Sequence, residues 1–246
     1  MGPDLRFAHA LADAADAITL GRFRALDLHV ETKADLTPVT EADRAAEQTV
    51  RELVARERPG EGVAGEELGG SGEAVRWIVD PIDGTRNYVR GNPIWGTLIA
   101  LEREGRVDVA VVSAPALARR WWAERGEGTW SGEERCRVAP VATLDAALVS
   151  ATSERDMPER WSSVTRRAWS ARGFGDFWQY CLLAEGSVDV AADESLELWD
   201  YAAVGLIVEE AGGRCSTFTG GPPSPGEPFL ATNGLLHDEV VALLSA

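Results

Sequence analysis

The chain is poor in cysteine. Its three, Cys136, Cys181 and Cys215, are an odd number at wide spacing, which supports neither a disulfide framework nor a cysteine-rich zinc site and suits a reducing cytoplasm. Histidine is equally scarce, and His9, His29 and His237 are too scattered to suggest a catalytic imidazole. Positive charge is in deficit: 24 Lys plus Arg against 40 Asp plus Glu leave a formal charge of −16. That field repels nucleic acid and anionic lipid, so neither is expected as a partner, and an anionic substrate needs a local positive centre. Also missing is any run of the ~18 uncharged apolar residues that a membrane span requires. The N-terminal stretch carries Asp4, Asp13 and Asp16 inside its apolar periodicity, unlike a signal peptide, and is expected to be a helix of the folded protein.

The 246 residues suffice for one large domain or two packed halves, and a change of pattern near residue 140 favours two. Leu5, Ala8, Leu11, Ala12, Ala15 and Ile18 recur at helical spacing, and a second helix is expected after Thr40, through Ala45, Ala46, Val50 and Leu53. Residues 60–73 read as an acidic loop, VRWIVD as a strand, and 94–130 as a meander turning at Glu104-Gly105 and Gly126-Glu127-Gly128. Beyond 140, strands ALVSAT, SVDVAA and FLAT alternate with helical stretches near 157–170, at FWQYCLLAE, at DYAAVGLIVEEA and from Leu235. The first half thus reads as helices followed by antiparallel strands, and the alternation in the second favours a sheet covered by helices. Gly60, Gly62 and Gly65 match G-x-G-x-x-G, but no strand precedes them and no helix follows, so a dinucleotide site is not expected.

Two carboxylates three residues apart follow an apolar strand in WIVDPIDGTRNY, residues 77–88. Burying them is costly unless something compensates the charge. Pro81 fixes φ and Gly84 permits a tight turn, so Asp80, Asp83 and the Ile82 carbonyl can point one way. Such oxygens suit a hard divalent cation such as Mg²⁺; an Asp-rich turn is the plainer alternative. An EF-hand is excluded, because Ile82 stands third from Asp80, Gly84 fifth and Gly91 twelfth. Glu66-Glu67, Asp200 and Asp43 strengthen the metal reading. Each also has an ordinary account, as a solvated face, a first-turn acid and a capping box with Thr40 respectively.

The set Gly65-Glu66-Glu67, Asp80-Pro81-Ile82-Asp83-Gly84-Thr85, and Trp199-Asp200 through Glu210-Ala211-Gly212-Gly213, with TPVTEAD at 37–43, resembles the signature of the inositol monophosphatase-like family of Mg²⁺-dependent phosphatases. The resemblance implies a layered αβαβα sandwich, an α+β half over 1–140 followed by an α/β half over 141–246, in which Glu66, Asp80, Asp83, Asp200 and the Ile82 carbonyl hold two or three Mg²⁺, with Asp43 near the most weakly held. On that reading Glu66 and the Thr85 hydroxyl orient and deprotonate a metal-activated water, a second ion held by Asp200 stabilises the departing alkoxide, and the N–H groups of Gly84 and Thr85 cradle the phosphate of a monoester. The family also implies a homodimer and inhibition by Li⁺.

The alcohol is the harder question. Asp176, within GFGDFW at 173–178, and Asp193, seven residues before Asp200, suit a cation better than a neutral polyol, with Phe177, Trp178 and Tyr180 nearby. A helix N-cap for Asp176 and core packing for the aromatics are the plainer accounts. DPIDGTRNYVRG…PIW with GDFWQYCLLAEG…DVAAD resembles the histidinol-phosphate phosphatases of this family from actinobacteria, which implies hydrolysis of histidinol phosphate in histidine biosynthesis. Inositol 1-phosphate or a range of sugar phosphates is the alternative within the enzyme class, and a catalytically silent regulatory module the alternative outside it. Leu68 after GEE and Tyr88 after the DG turn depart from the common family residues and leave the substrate, not the chemistry, open.

Overall fold

The computed structural model describes residues 1–33, 37–70 and 72–245. Helix α1 (Pro3–Arg22) buries Leu5, Ala8, Leu11, Ala12 and Ala15 on one face; the small alanines of this stripe let the helix lie close to the sheet beneath it. A short antiparallel pair, β1 (Val30–Thr32) and β2 (Pro38–Thr40), leads into α2 (Glu41–Glu57). Thr40 caps α2, accepting the Ala42 N–H at 3.1 Å through its hydroxyl while Asp43 reaches back to the Thr40 N–H, so the capping box read from the sequence forms.

A seven-stranded sheet follows, in the order β3 (Gly62–Gly65), β4 (Val75–Asp83), β5 (Gly96–Arg103), β6 (Arg106–Ala114), β7 (Arg119–Glu124), β8 (Gly128–Ser131) and β9 (Glu134–Arg135), with helix α3 (Thr85–Val89) between β4 and β5. All pairings are antiparallel except β3 with β4. Glu104 and Gly105 both take positive φ, 51° and 80°, as the two-residue turn of a twisted hairpin requires. Strand β3 corrects the expectation of a loop over 60–73. It is four residues long, flanked by glycine and fully buried, so it offers no alternation for a sequence reading to detect.

The second sheet runs β11 (Ser170–Arg172), β10 (Leu148–Ala151), β12 (Val190–Leu196), β14 (Glu227–Thr232) and β13 (Arg214–Ser216). β10, β11 and β12 are mutually parallel, and β14 is antiparallel to both neighbours. The helix expected near 157–170 is only α4 (Trp161–Thr165); edge strands β11 and β13, three residues each, were not expected. Helices α5 (Asp176–Ala184) and α6 (Leu198–Glu210) lie between the sheets, sharing one core with Ile78, Leu98 and Val112 on one side and Ala191 and Phe229 on the other. Every residue of α6 from Ala202 to Val208 is buried, which is why its sequence is apolar all round. Helices α1 and α2 cover the outer face of the first sheet, and α4 and α7 (His237–Ser245) that of the second, giving the αβαβα layering.

Candidate active site

In an ideal strand, residues three apart face opposite sides. Asp80 and Asp83 escape this because β4 breaks register between them: Asp80 pairs with Leu98 but Asp83 with Gly96, three residues against two. The inserted residue is a β-bulge, and it turns both carboxylates to one side. Pro81, which cannot donate to a ladder, sits within the bulge, and its carbonyl accepts the Thr97 hydroxyl at 2.8 Å. Asp80 Oδ1 accepts the Ile82 N–H at 3.0 Å. Gly84, at φ +83°, then turns the chain into α3; a Cβ there would lie 3.2 Å from both the Ile94 carbonyl and Asp176 Oδ2.

Asp200 arrives on the first turn of α6, where Glu197 N–H donates to its Oδ2 at 2.7 Å. The first amides of α5 reach the same place, with Phe177 N–H donating to Asp83 Oδ2. One carboxylate oxygen each of Asp80, Asp83 and Asp200 lie within 4.8 Å of one another. Glu66, Ile82, Gly84, Thr85 and Asp176 line the same open cavity of about 180 Å³. A second cavity of about 230 Å³ adjoins it through Asp83, Asp176 and Asp200 and has Asp193 in its wall.

Desolvation is the main force on these acids. It raises Asp80 and Asp83 well above the ordinary carboxylate range, helped by Glu66, Asp83 and Asp200 around the first and by Asp176 and Asp200 around the second. It also lifts Asp200 and Asp43 to about 7. Like charges crowded out of water cost free energy unless a cation joins them. The donors are all oxygen, which fits a hard divalent ion such as Mg²⁺.

The model of the inositol monophosphatase family matches residues 2–245 of the chain. The chain belongs to the inositol monophosphatase family. Family members are metal-dependent, and the acidic cluster is where such an ion fits. Among curated relatives, a histidinol-phosphatase of Mycobacterium tuberculosis is 51% identical over 255 residues, covering 99% of this chain and 98% of the relative. One from Streptomyces coelicolor is 50% identical over 98% and 97% of the two chains. The solved structure of a Thermotoga maritima IMPase superposes with a TM-score of 0.92 at 31% identity, covering 99% of this chain and 97% of that one.

Within this family fold not every expected residue stands in the cavity. Asp43 is 0% exposed and does not line it; its Oδ2 accepts the Thr40 N–H and hydroxyl at 2.9 and 2.6 Å, and its buried Oδ1 has no partner among the described residues. Glu66 lines the cavity but stands outside the tight trio; Lys33, the only lysine of the chain, pairs with Glu66 and Glu67 at 2.6 Å each. The Thr85 hydroxyl donates to the Ile82 carbonyl at 3.0 Å. Asp176 is the first residue of α5 and not its N-cap, takes φ +48°, and accepts Asn87 Nδ2 at 2.9 Å. Of the aromatics, Phe177 and Tyr180 line the second cavity, whereas Trp178 packs edge-on against Trp121 and away from it. Lys33, Arg86 and Asn87 went unnoticed in the sequence. Arg86 and Asn87 stand directly after DGT, and a solitary lysine in so acidic a chain was a signal available to read.

Proposed function

We propose that the chain hydrolyses L-histidinol phosphate to histidinol and phosphate, as a Mg²⁺-dependent enzyme of histidine biosynthesis. The observation that carries this is half-identity, over nearly the full length of both chains, to two actinobacterial histidinol-phosphatases, joined to a carboxylate cluster beside an acidic second cavity. Glu66, Asp80, Asp83, Asp200 and the Ile82 carbonyl would hold two or three Mg²⁺. Bound there, the ions supply the positive field that this acidic chain lacks, and they acidify water and neutralise phosphate oxygens.

The remaining roles fall to side chains and amides. Glu66 and the Thr85 hydroxyl orient the attacking water and take its proton. The N–H groups of Gly84 and Thr85, at an end where helical amides lack internal partners, receive the phosphate. Arg86, on the cavity rim, adds a cation on the phosphate side. Asp176 and Asp193 face the alcohol, and Asp43 acts from behind the wall through its unpartnered oxygen. In this arrangement residues 1–140 contribute most of the metal site, and 141–246 contribute Asp200 and alcohol recognition. We place the enzyme in the cytoplasm, in keeping with its free cysteines, and as a homodimer.

Phosphate release from histidinol phosphate and from inositol 1-phosphate, with and without Mg²⁺, tests the reading. Preference for histidinol phosphate is expected. Preference for inositol 1-phosphate assigns the broader relative's activity instead, and no release from any ester assigns a silent module.

A further inference from the structure

The wall of the second cavity contains four carboxylates, Asp83, Asp176, Asp193 and Asp200, and, among the described residues, no lysine, arginine or histidine. Asp83 and Asp200 belong to the cluster read as a metal site, and Asp176 feels the nearby Arg86. Asp193 has no such relief. It is 7% exposed, and among the described residues no ion pair involves it.

What surrounds Asp193 instead is a chain of hydrogen bonds with one direction. Phe174 N–H donates to Ser150 Oγ at 3.2 Å, and Ser150 in turn donates to Gln179 Oε1 at 2.8 Å. That fixes the Gln179 amide with its NH₂ toward Asp193, where Nε2 donates to Oδ2 at 2.8 Å. The Tyr180 hydroxyl, fully buried, spends its single hydrogen on the same oxygen at 2.7 Å. The Thr152 N–H points at Oδ1 from 3.3 Å. Every hydrogen bond to its oxygens comes from a donor, which favours the ionised carboxylate over the acid, against a burial that raises the carboxyl to about 6. These neutral donors hold its oxygens without cancelling its charge, so an anion stays in the wall of the pocket.

We infer that Gln179 and Tyr180 are positioning residues, which fix Asp193 as an acceptor-only anionic wall and so select an ester whose alcohol carries a compact organic cation, an ammonium or a protonated imidazole. This rests on the function proposed above and deepens it. A neutral polyol gains only a hydrogen bond from such a wall, whereas a cation also gains the attraction of its charge. Neither residue touches the phosphate side, so binding of the alcohol should change and the chemical step should not.

The test compares Tyr180→Phe, Gln179→Met and Asp193→Asn with the unaltered chain, measuring kcat and KM on histidinol phosphate and on inositol 1-phosphate as a neutral ester. Tyr180→Phe removes one oxygen and Gln179→Met keeps the side-chain length; turnover of the neutral ester reports that each variant is folded. We expect KM for histidinol phosphate to rise about tenfold in each variant, while in Tyr180→Phe and Gln179→Met kcat and the KM for the neutral ester stay within about twofold. Combining Tyr180→Phe with Asp193→Asn should add little further, since one acts through the other. Equal KM increases on both esters, or a loss confined to kcat, would overturn the inference while leaving the function in place. Should the unaltered chain cleave inositol 1-phosphate but not histidinol phosphate, the proposed function falls and the inference with it. If Gln179→Met does not fold, binding of histidinol against inositol to the unaltered chain, by calorimetry, decides instead: equal affinities refute a cation-selecting wall.

Discussion

Single side chains decide the electrostatics of this site, and Glu47 illustrates how. It is 0% exposed, one helical turn after Asp43, and its carboxylate accepts the N–H groups of Glu67 and Leu68 at 2.7 and 3.2 Å. Arg51 closes the other side at 2.9 Å. Gly65 is glycine because a Cβ would stand 2.2 Å from Glu47 Oε1. The bend carrying Glu66 is thus pinned through its backbone, and Glu47→Gln, which turns one acceptor into a donor, should weaken Mg²⁺ binding about tenfold or more in titration calorimetry; unchanged affinity would mean that the bend holds itself. For Asp200→Asn the expectation is double. Phosphate release should fall roughly 10²-fold or more, while the melting temperature of the metal-free protein should hold or rise, because one of several crowded like charges is gone. A variant that melts early without metal would mark Asp200 as a helix cap first and a ligand second.

At the scale of elements the bulge in β4 and the turn after it set the geometry. Both were half legible. Pro81 and Gly84 could be read as marking a tight turn after a buried strand, but the register break that puts Asp80 and Asp83 on one side depends on pairing with β5, which lies beyond local sequence. Gly84→Ala tests the turn. At φ +83° with 3.2 Å to the Ile94 carbonyl, the substitution should cost about 1–2 kcal/mol from the left-handed backbone alone, read as a lower denaturation midpoint. It should also lower activity by pushing Asp176 away; wild-type values of both would show that the turn tolerates a side chain. Helices α1, α2, α5 and α6 were readable from periodicity and closing glycines, whereas β3, β11 and β13 were not. Strands of three or four residues owe their state to a neighbour and not to their own composition.

For the whole molecule, the two sheets bring acids from distant parts of the chain to one cleft, and the consequence is a pH dependence with a definite sign. Burial raises Asp43 and Asp200 to about 7, and Asp80 and Asp83 well above the ordinary range. A carboxyl raised in the folded state holds its proton where the unfolded chain, at about pH 4, has already released it. The metal-free protein therefore loses stability as pH climbs from about 4 through 7. Mg²⁺ displaces those protons and removes the repulsion, so the rise in melting temperature on adding it should be larger at about pH 8 than at about pH 5. His237, lowered to about 4 chiefly by burial, acts oppositely, destabilising the fold as pH falls below about 6.5, but it contributes equally with and without metal and drops out of the difference. An increment independent of pH would argue against metal at these acids.

The sequence by itself determined the chemistry on offer: a strongly acidic chain with its carboxylates spaced in a family pattern, helices readable from their period, and a need for a cation that its own side chains do not meet. Only the tertiary structure decided which acids meet. It put Asp80, Asp83 and Asp200 together, tied Glu66 to Lys33, set Asp43 behind the wall, and surrounded Asp193 with donors alone. The reason is that local propensities act over a few residues, while the distances between charges are set by which sheet faces which helix, and those contacts join residues more than a hundred positions apart.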